Sequence, residues 1–190
     1  MIFRNEEEKN AYNNLADFYS ILMRNLIYPV ILDGGTLLGA YRETGFCEDD
    51  WDDIDLTTFA CEWKKSQKLI REAQKEGFVL KKQWEPKERK TAQLVFKKGK
   101  CKIDLMFKDI KKDMAWWTVY RGQEVTYKAV PVYFFAELDD IKFGELFFSR
   151  PKNIKGYLKY RYGNWKKKVH RSNYSCYTSD KCIRKSYEEI

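Results

Sequence analysis

Residues 30–57 decide the fold, and they read VILDGGTLLGAYRETGFCEDDWDDIDLT. A short apolar strand, Val30 to Leu32, runs into the paired glycines Gly34 and Gly35, and a small helical segment follows. Six of the 28 acidic residues lie within residues 48–55, although the chain has a net charge of +8. Carboxylates this close together raise one another's pKa or bind a cation, so the stretch predicts a divalent metal site.

The composition favours a single domain over residues 1–190, with a polar tail from about residue 171. A chain of 190 residues that is 44% hydrophobic is long and apolar enough to bury a core. The sequence pI of about 9.1 favours an anionic partner, with a merely solvated basic surface as the alternative. Nothing in the sequence points clearly to nucleic acid, and the oligomeric state stays open.

The five cysteines, Cys47, Cys61, Cys101, Cys176 and Cys182, show no CxxC spacing. This pattern favours reduced thiols, with a disulfide or a shared zinc at Cys176 and Cys182 as the alternative. No apolar run approaches the ~20 residues of a membrane span, and the first residues do not resemble a signal peptide. The sequence therefore predicts a soluble, cytoplasmic protein.

Hydrophobic periodicity predicts helices alternating with strands, many of them joined as hairpins. Helices are expected over residues 6–27, 62–76 and 153–161, in addition to the one after the paired glycines. Strands are expected at 78–80, 93–96, 101–107, 116–120, 125–130 and 143–148. The charged residues 81–90 are expected to form an exposed loop. The pattern predicts the α+β class, a mixed β-sheet flanked by helices.

The strongest candidates for a metal site are Asp53 and Asp55. Residues two apart on a strand project from the same face, while Ile54 and Leu56 point the other way into a core. Two such carboxylates suit Mg²⁺ or Mn²⁺. A solvated acidic turn is the alternative for this motif taken alone.

Asp104 is the third candidate, because it interrupts an otherwise apolar strand. An unpaired carboxylate there would be costly, so a metal ligand on an adjacent strand or a salt bridge to a lysine is expected. The glycines Gly34 and Gly35, followed by Thr36, would let a phosphate approach a helix N-terminus. Arg42 is a candidate anion clamp.

Two further arginines, Arg150 and Arg161, are weaker candidates for phosphate contact. Taken together, the metal ligands, the glycine turn and the basic side chains predict a site for phosphoryl chemistry.

The run from Leu32 to Arg42, followed by Gly45-Phe46 and Asp52-Asp53-Ile54-Asp55, resembles the LicD/fukutin family of nucleotidyltransferase-fold phosphotransferases. The segment 134–148, Pro151, a short helix and Tyr162-Gly163 resemble the closing pattern of that family. The resemblance covers residues 10 to 168. One departure is Trp51, which lies inside the aspartate run and not ahead of it.

This resemblance implies a nucleotidyltransferase-like mixed sheet, with Asp53, Asp55 and Asp104 as metal ligands and catalytic residues. It implies phosphate contacts from Gly34, Gly35 and Thr36. It also implies transfer of phosphocholine or a polyol phosphate from a CDP-linked donor to a hydroxyl of a glycan acceptor. Asp104 would ligate a second ion or act as the base on that hydroxyl.

Two other functions are compatible with the sequence. A nucleotidyltransferase that adds NMP to a small molecule or RNA would use the same carboxylates. A non-catalytic basic module that binds RNA or anionic glycan would keep the acidic cluster only as a relic. The intact set of carboxylates speaks against this last class.

Overall fold

The computed structural model describes residues 3–25, 29–48, 50–84, 92–121, 124–170, 173 and 182–185. The α-helices are α1 (Glu6–Asn25), α2 (Gly34–Arg42), α3 (Ser66–Lys75) and α4 (Ile154–Tyr162). The first five strands are β1 (Ile31–Leu32), β2 (Asp53–Phe59), β3 (Val79–Trp84), β4 (Ala92–Lys98) and β5 (Cys101–Lys111). The others are β6 (Met114–Arg121), β7 (Glu124–Pro131), β8 (Leu138–Phe143), β9 (Leu146–Pro151) and β10 (Ile183–Lys185).

The strands form one mixed sheet, which confirms the predicted α+β class. One part of it has the order β3-β4-β5-β2-β1-β9-β8, and the far end of β5 pairs with β6, from which the sheet continues through β7 to β10. The pairs β2–β5 and β1–β9 are parallel, and the other pairs are antiparallel. The parallel pair β2–β5 matters most, because it sets Asp55 on β2 beside Asp104 on β5 in the middle of the sheet.

Helix α1 covers the sheet with the apolar stripe expected from its periodicity. Leu15, Phe18 and Leu22 are buried, and the ring of Phe18 packs on Phe78 and Phe96 at centroid distances of 5.2 and 5.0 Å. Three glutamates in the first turn and Arg24 in the last complement the helix dipole. The predicted end of this helix, residues 26–27, lies outside the described residues.

Three local expectations need correction. Residues 81–84 belong to strand β3; their charged side chains are exposed on an edge strand, which makes them resemble a loop, and 85–90 lie outside the described residues. Residues 143–148 are a hairpin and not one strand, because Gly144 takes a φ of +63° and turns the chain between β8 and β9. Residues 60–65 form a 3-10 helix ahead of α3.

The polar tail also contains a strand that the sequence pattern did not predict. Residues 183–185 pair antiparallel with β7, and Cys182, directly before them, is buried. The remaining tail residues from 174 to 181, Cys176 among them, lie outside the described residues. The prediction of one domain over the whole chain stays a prediction.

Candidate functional site

The three predicted metal ligands converge at the centre of the sheet. Asp53 and Asp55 alternate along β2 with Ile54 and Leu56, whose side chains are fully buried. The parallel register places Asp55 directly beside Asp104 on β5. One carboxylate oxygen from each aspartate lies within 4.8 Å of the other two. Strand alternation brings the first two carboxylates together, and strand pairing adds the third.

The electrostatics of this triad favour a bound cation. Burial raises the pKa of Asp55 well above its ordinary value, and the charges of Asp53, Asp104 and Asp50 raise it further. Burial, followed by the charge of Asp53, also raises the pKa of Asp104 to about 6. A divalent cation would remove this repulsion and favour the ionised carboxylates.

The hydrogen bonds of Asp104 provide a separate indication of a ligand. Its Oδ2 accepts from Gln93 Nε2 at 3.0 Å and from Lys102 Nζ at 3.3 Å. Its buried Oδ1 has no hydrogen-bond partner among the described residues. A buried acceptor without a partner is costly, and an all-oxygen donor set suits Mg²⁺ or Mn²⁺. The residues present therefore fit the metal that the sequence predicts.

The paired glycines, Gly34 and Gly35, lie directly against the side chain of Asp55. Gly35 donates its N–H to Asp55 Oδ2 at 3.0 Å, and the hydroxyl of Thr36 accepts from the Asp55 N–H at 2.9 Å. A Cβ on Gly34 would lie 1.9 Å from Asp55 Oδ2, and one on Gly35 would lie 2.1 Å from Asp50 Oδ2. The glycines thus make room for carboxylates against the start of α2, and their predicted contact with phosphate stays a prediction.

Gly34→Ala should abolish metal binding and should also lower the free energy of unfolding. Gly34 has a φ of +52°, so a side chain there meets backbone strain and also collides with Asp55. Gly99→Ala is a matched control, because Gly99 has a φ of +62° but nothing within 4 Å of its Cβ position. Both variants should lose about 1–2 kcal/mol of unfolding free energy to the strained backbone, and Gly34→Ala should lose more. Calorimetric titration with Mn²⁺ should show binding by Gly99→Ala only; equal binding by both would contradict this role of Gly34.

Arg42 lies two helical turns beyond Gly35, and its guanidinium already has partners. It forms an ion pair with Glu43 and donates to the carbonyl oxygen of Trp165 at 3.0 Å. One of its nitrogens lies 3.5 Å from Cys47 Sγ, which in turn contacts the Gly35 carbonyl. The structure does not bring Arg42 into contact with the three aspartates, and the anion clamp remains a prediction.

The two weaker arginine candidates lie elsewhere. Arg150 forms an ion pair with Asp139 and donates to the carbonyl oxygens of Pro151 and Lys152. Arg161 is buried and forms an ion pair with Asp33. Neither contact is with the aspartate triad.

Asp33 is the centre of a buried charged network that sequence reasoning missed. Its carboxylate caps α2 by accepting from the Gly34 N–H at 2.8 Å, and it forms ion pairs with Lys108 and Arg161. It also accepts from the hydroxyls of Thr57 at 2.8 Å and Tyr157 at 2.7 Å. These bonds join α2, β2, β5 and α4, and Thr57 and Lys108 lie on the same strand faces as the triad, further along β2 and β5.

The positive charges of this network lower the pKa of Asp33 by more than burial raises it. Burial alone would raise the pKa of Asp33, but Lys108 and Arg161 hold that pKa well below its ordinary value. The Lys108 ammonium also lies 4.7 Å from the ring centroid of Trp117. Asp33 only follows the apolar residues of β1, and Lys108 lies between Phe107 and Asp109, so the local sequence does not signal the network.

The free energy of unfolding should depend on pH because the pKa of the Asp104 carboxyl is raised in the folded protein. Because the pKa of Asp104 is about 6 in the folded protein and near 4 when unfolded, the folded state binds the proton more tightly. Without metal, the free energy of unfolding should therefore fall as the pH rises from 4 to 6. Urea unfolding in EDTA across this range should show a shallower fall for Asp104→Asn; identical slopes would contradict the raised pKa.

The mixed sheet carries three carboxylates on two adjacent strands, beside a helix that begins at a glycine, in agreement with the nucleotidyltransferase-like sheet that the resemblance implies. Residues 28–153 match the family model described as LicD/FKTN/FKRP, nucleotidyltransferase domain. That match spans well over half of the chain, and the chain belongs to this family. No curated protein matches the sequence.

Membership places the chain among transferases whose function is phosphotransferase-like and glycan-modifying, with sugar or nucleotide-linked substrates. The family is typically metal-dependent, and the matched range contains all three aspartates of the triad. Within the described ranges, no helix combines the length and the apolar character needed to cross a membrane.

Proposed function

We propose that the chain is a metal-dependent phosphotransferase. It would move a phosphoalcohol group, phosphocholine or a polyol phosphate, from a CDP-linked donor to a glycan hydroxyl. The observation that carries the proposal is the convergence of Asp53, Asp55 and Asp104 within the family-matched range, together with the unpartnered Oδ1 of Asp104.

In this proposal Asp53, Asp55 and Asp104 hold Mg²⁺ or Mn²⁺. A bound ion of this kind neutralises phosphate charge and orients the donor. The start of α2 keeps Asp55 in place through Gly35 and Thr36, and the missing glycine side chains leave space for the carboxylates of Asp55 and Asp50. Contact of Gly34, Gly35 and Thr36 with the donor diphosphate is part of the proposal. Arg42 is the proposed contact for donor charge further along the same helix.

The reaction exchanges one phosphorus–oxygen bond for another. The acceptor oxygen bonds to the β phosphorus of the donor, the bond from that phosphorus to the bridging oxygen breaks, and CMP leaves. The acceptor hydroxyl gives up its proton during this exchange. Asp104 is proposed either as a ligand of a second ion or as the base that accepts this proton.

A thermal-shift panel tests the proposal directly. CTP, CDP-choline, CDP-ribitol, CDP-glycerol and UDP-sugars are each added with and without Mn²⁺. One CDP-linked donor should raise the unfolding temperature, only when metal is present, and should do so for wild type but not for Asp53→Asn. Steep salt-dependent binding of RNA, with no response to metal or CDP compounds, would instead favour a non-catalytic module.

The mass of the product separates the two enzyme classes. A phosphotransferase yields acceptor plus phosphoalcohol, whereas a nucleotidyltransferase yields acceptor plus nucleotide. Mass spectrometry of a reaction with the donor found in the panel should show the first product. The second product would overturn the proposed reaction while leaving the metal site intact.

A further inference from the structure

Lys102 occupies the gap between two of the proposed metal ligands. It lies on the same face of β5 as Asp104, and the register pairs it with Asp53 on β2. Its Nζ is 3.0 Å from Asp53 Oδ1 and 3.3 Å from Asp104 Oδ2. One ammonium group therefore bridges both strands at the site where the proposed function requires a metal.

The surroundings of Lys102 keep it charged and also allow it to leave. Burial opposes ionisation, but Asp104 and Asp53 raise the pKa of Lys102 above its ordinary value. The side chain is 39% exposed, whereas that of Asp104 is only 15% exposed. Lysine has a flexible four-carbon stem, so the ammonium can move toward solvent while the carboxylates stay in place.

Two cations cannot share the gap between Asp53 and Asp104 without strong repulsion. Metal binding would therefore displace the Lys102 ammonium from at least one carboxylate. The displaced group would remain at the mouth of the site, the side from which a diphosphate must approach the ligands. An ammonium at that position matches the negative charge of a phosphate.

We propose that Lys102 is a tethered counter-ion that competes with the metal for Asp53 and Asp104 and then binds the donor phosphate. This inference rests on the proposed function. Lys102 holds the carboxylates together before the metal arrives, and its transfer to the diphosphate links metal binding to donor binding. It is a positioning and donor-binding residue for the same reaction.

The test measures Mn²⁺ and CDP binding by Lys102→Gln, with Lys100→Gln as the matched control. Lys100 lies on the same hairpin, but it is 74% exposed and pairs with Glu7, away from the triad. Calorimetric titration should show Mn²⁺ binding to Lys102→Gln about tenfold more tightly than to wild type, because the competing charge is gone. At saturating Mn²⁺, CDP should bind the same variant about tenfold more weakly, and Lys102→Arg should restore most of that loss.

Lys100→Gln should match wild type in both titrations. Unchanged or weaker Mn²⁺ binding by Lys102→Gln, or unchanged CDP binding, would overturn the inference. The proposed function fails separately: in that case wild type itself would bind no Mn²⁺, or Asp53→Asn would bind it as tightly as wild type. Metal-free unfolding temperatures of both lysine variants show whether either one has lost its fold.

Discussion

Asp53→Asn or Asp104→Asn should reduce turnover by at least about a thousandfold. The proposed metal contributes several kcal/mol of charge stabilisation in the transition state, and each 1.36 kcal/mol corresponds to a factor of about ten in rate. Both aspartates supply an oxygen to the same cluster, so neutralising either one removes a charged ligand. The measurement is CMP release from the donor that the thermal-shift panel identifies, with and without added Mn²⁺.

The same substitutions should leave the metal-free fold unchanged or more stable. Asparagine keeps the shape of aspartate and can still accept from Gln93 at position 104, while the repulsion within the triad is reduced. Asp17→Asn is the control, since Asp17 is exposed on α1 and pairs with Lys98, which is not a member of the triad. A variant that loses activity together with several degrees of unfolding temperature would indicate a structural role for that carboxylate.

Metal removal gives an independent check on this prediction. Wild-type turnover should stop in excess EDTA and return when Mn²⁺ is added in excess of the chelator. Persistent turnover in EDTA would rule out the metal mechanism whatever the variants show. Circular dichroism in EDTA should remain that of the folded protein, because the Asp33 network neutralises its own charges without a metal.

The triad was predictable because each part of it rests on a local pattern. Alternation along β2 separates Asp53 and Asp55 from the buried Ile54 and Leu56, and this pattern needs only four neighbouring residues. Asp104 stood out because it is a charged residue in an apolar strand, even though its partner strand was not specified. The helix after the glycines was also confirmed over its predicted position.

The remaining features depend on contacts between distant parts of the chain. Asp33 meets Lys108 and Arg161, which are 75 and 128 residues away, and no local pattern reports such pairs. Strand β3 has exposed charged residues that resemble a loop until β4 pairs with it. The tail strand becomes regular only on the edge of β7. Tertiary pairing decides each of these cases.

Asp33→Asn should destabilise the protein by about 3–5 kcal/mol, the largest stability effect expected of a single substitution here. The substitution leaves the buried Lys108 and Arg161 without the anion that compensates them. The asparagine can still cap α2, so the loss reports charge and not helix capping. Urea unfolding measures it, and Asp139→Asn, which removes an exposed pair with Arg150, should cost less than about 1 kcal/mol.

A double-mutant cycle shows whether Asp33 and Lys108 stabilise the protein together or independently. Lys108→Met removes one of the two buried cations, so Asp33→Asn should cost less in that background than in wild type. Equal costs in both backgrounds would show that Asp33 and Lys108 contribute independently. Such additivity would contradict the compact network seen in the structure.

The pH dependence of this loss follows from the depressed pKa of Asp33. A carboxyl whose pKa is lower in the folded protein than in the unfolded chain adds stability above the unfolded value, and this stability is lost as the pH falls. The difference between wild type and Asp33→Asn should therefore be constant above about pH 5 and shrink below about pH 4. A constant difference down to pH 3 would mean that Asp33 acts through its shape and hydrogen bonds alone. The network ties the strand that carries Asp104 to the helix that holds Asp55, and the depressed pKa keeps Asp33 ionised in the folded protein, so these ion pairs should persist until the protein unfolds.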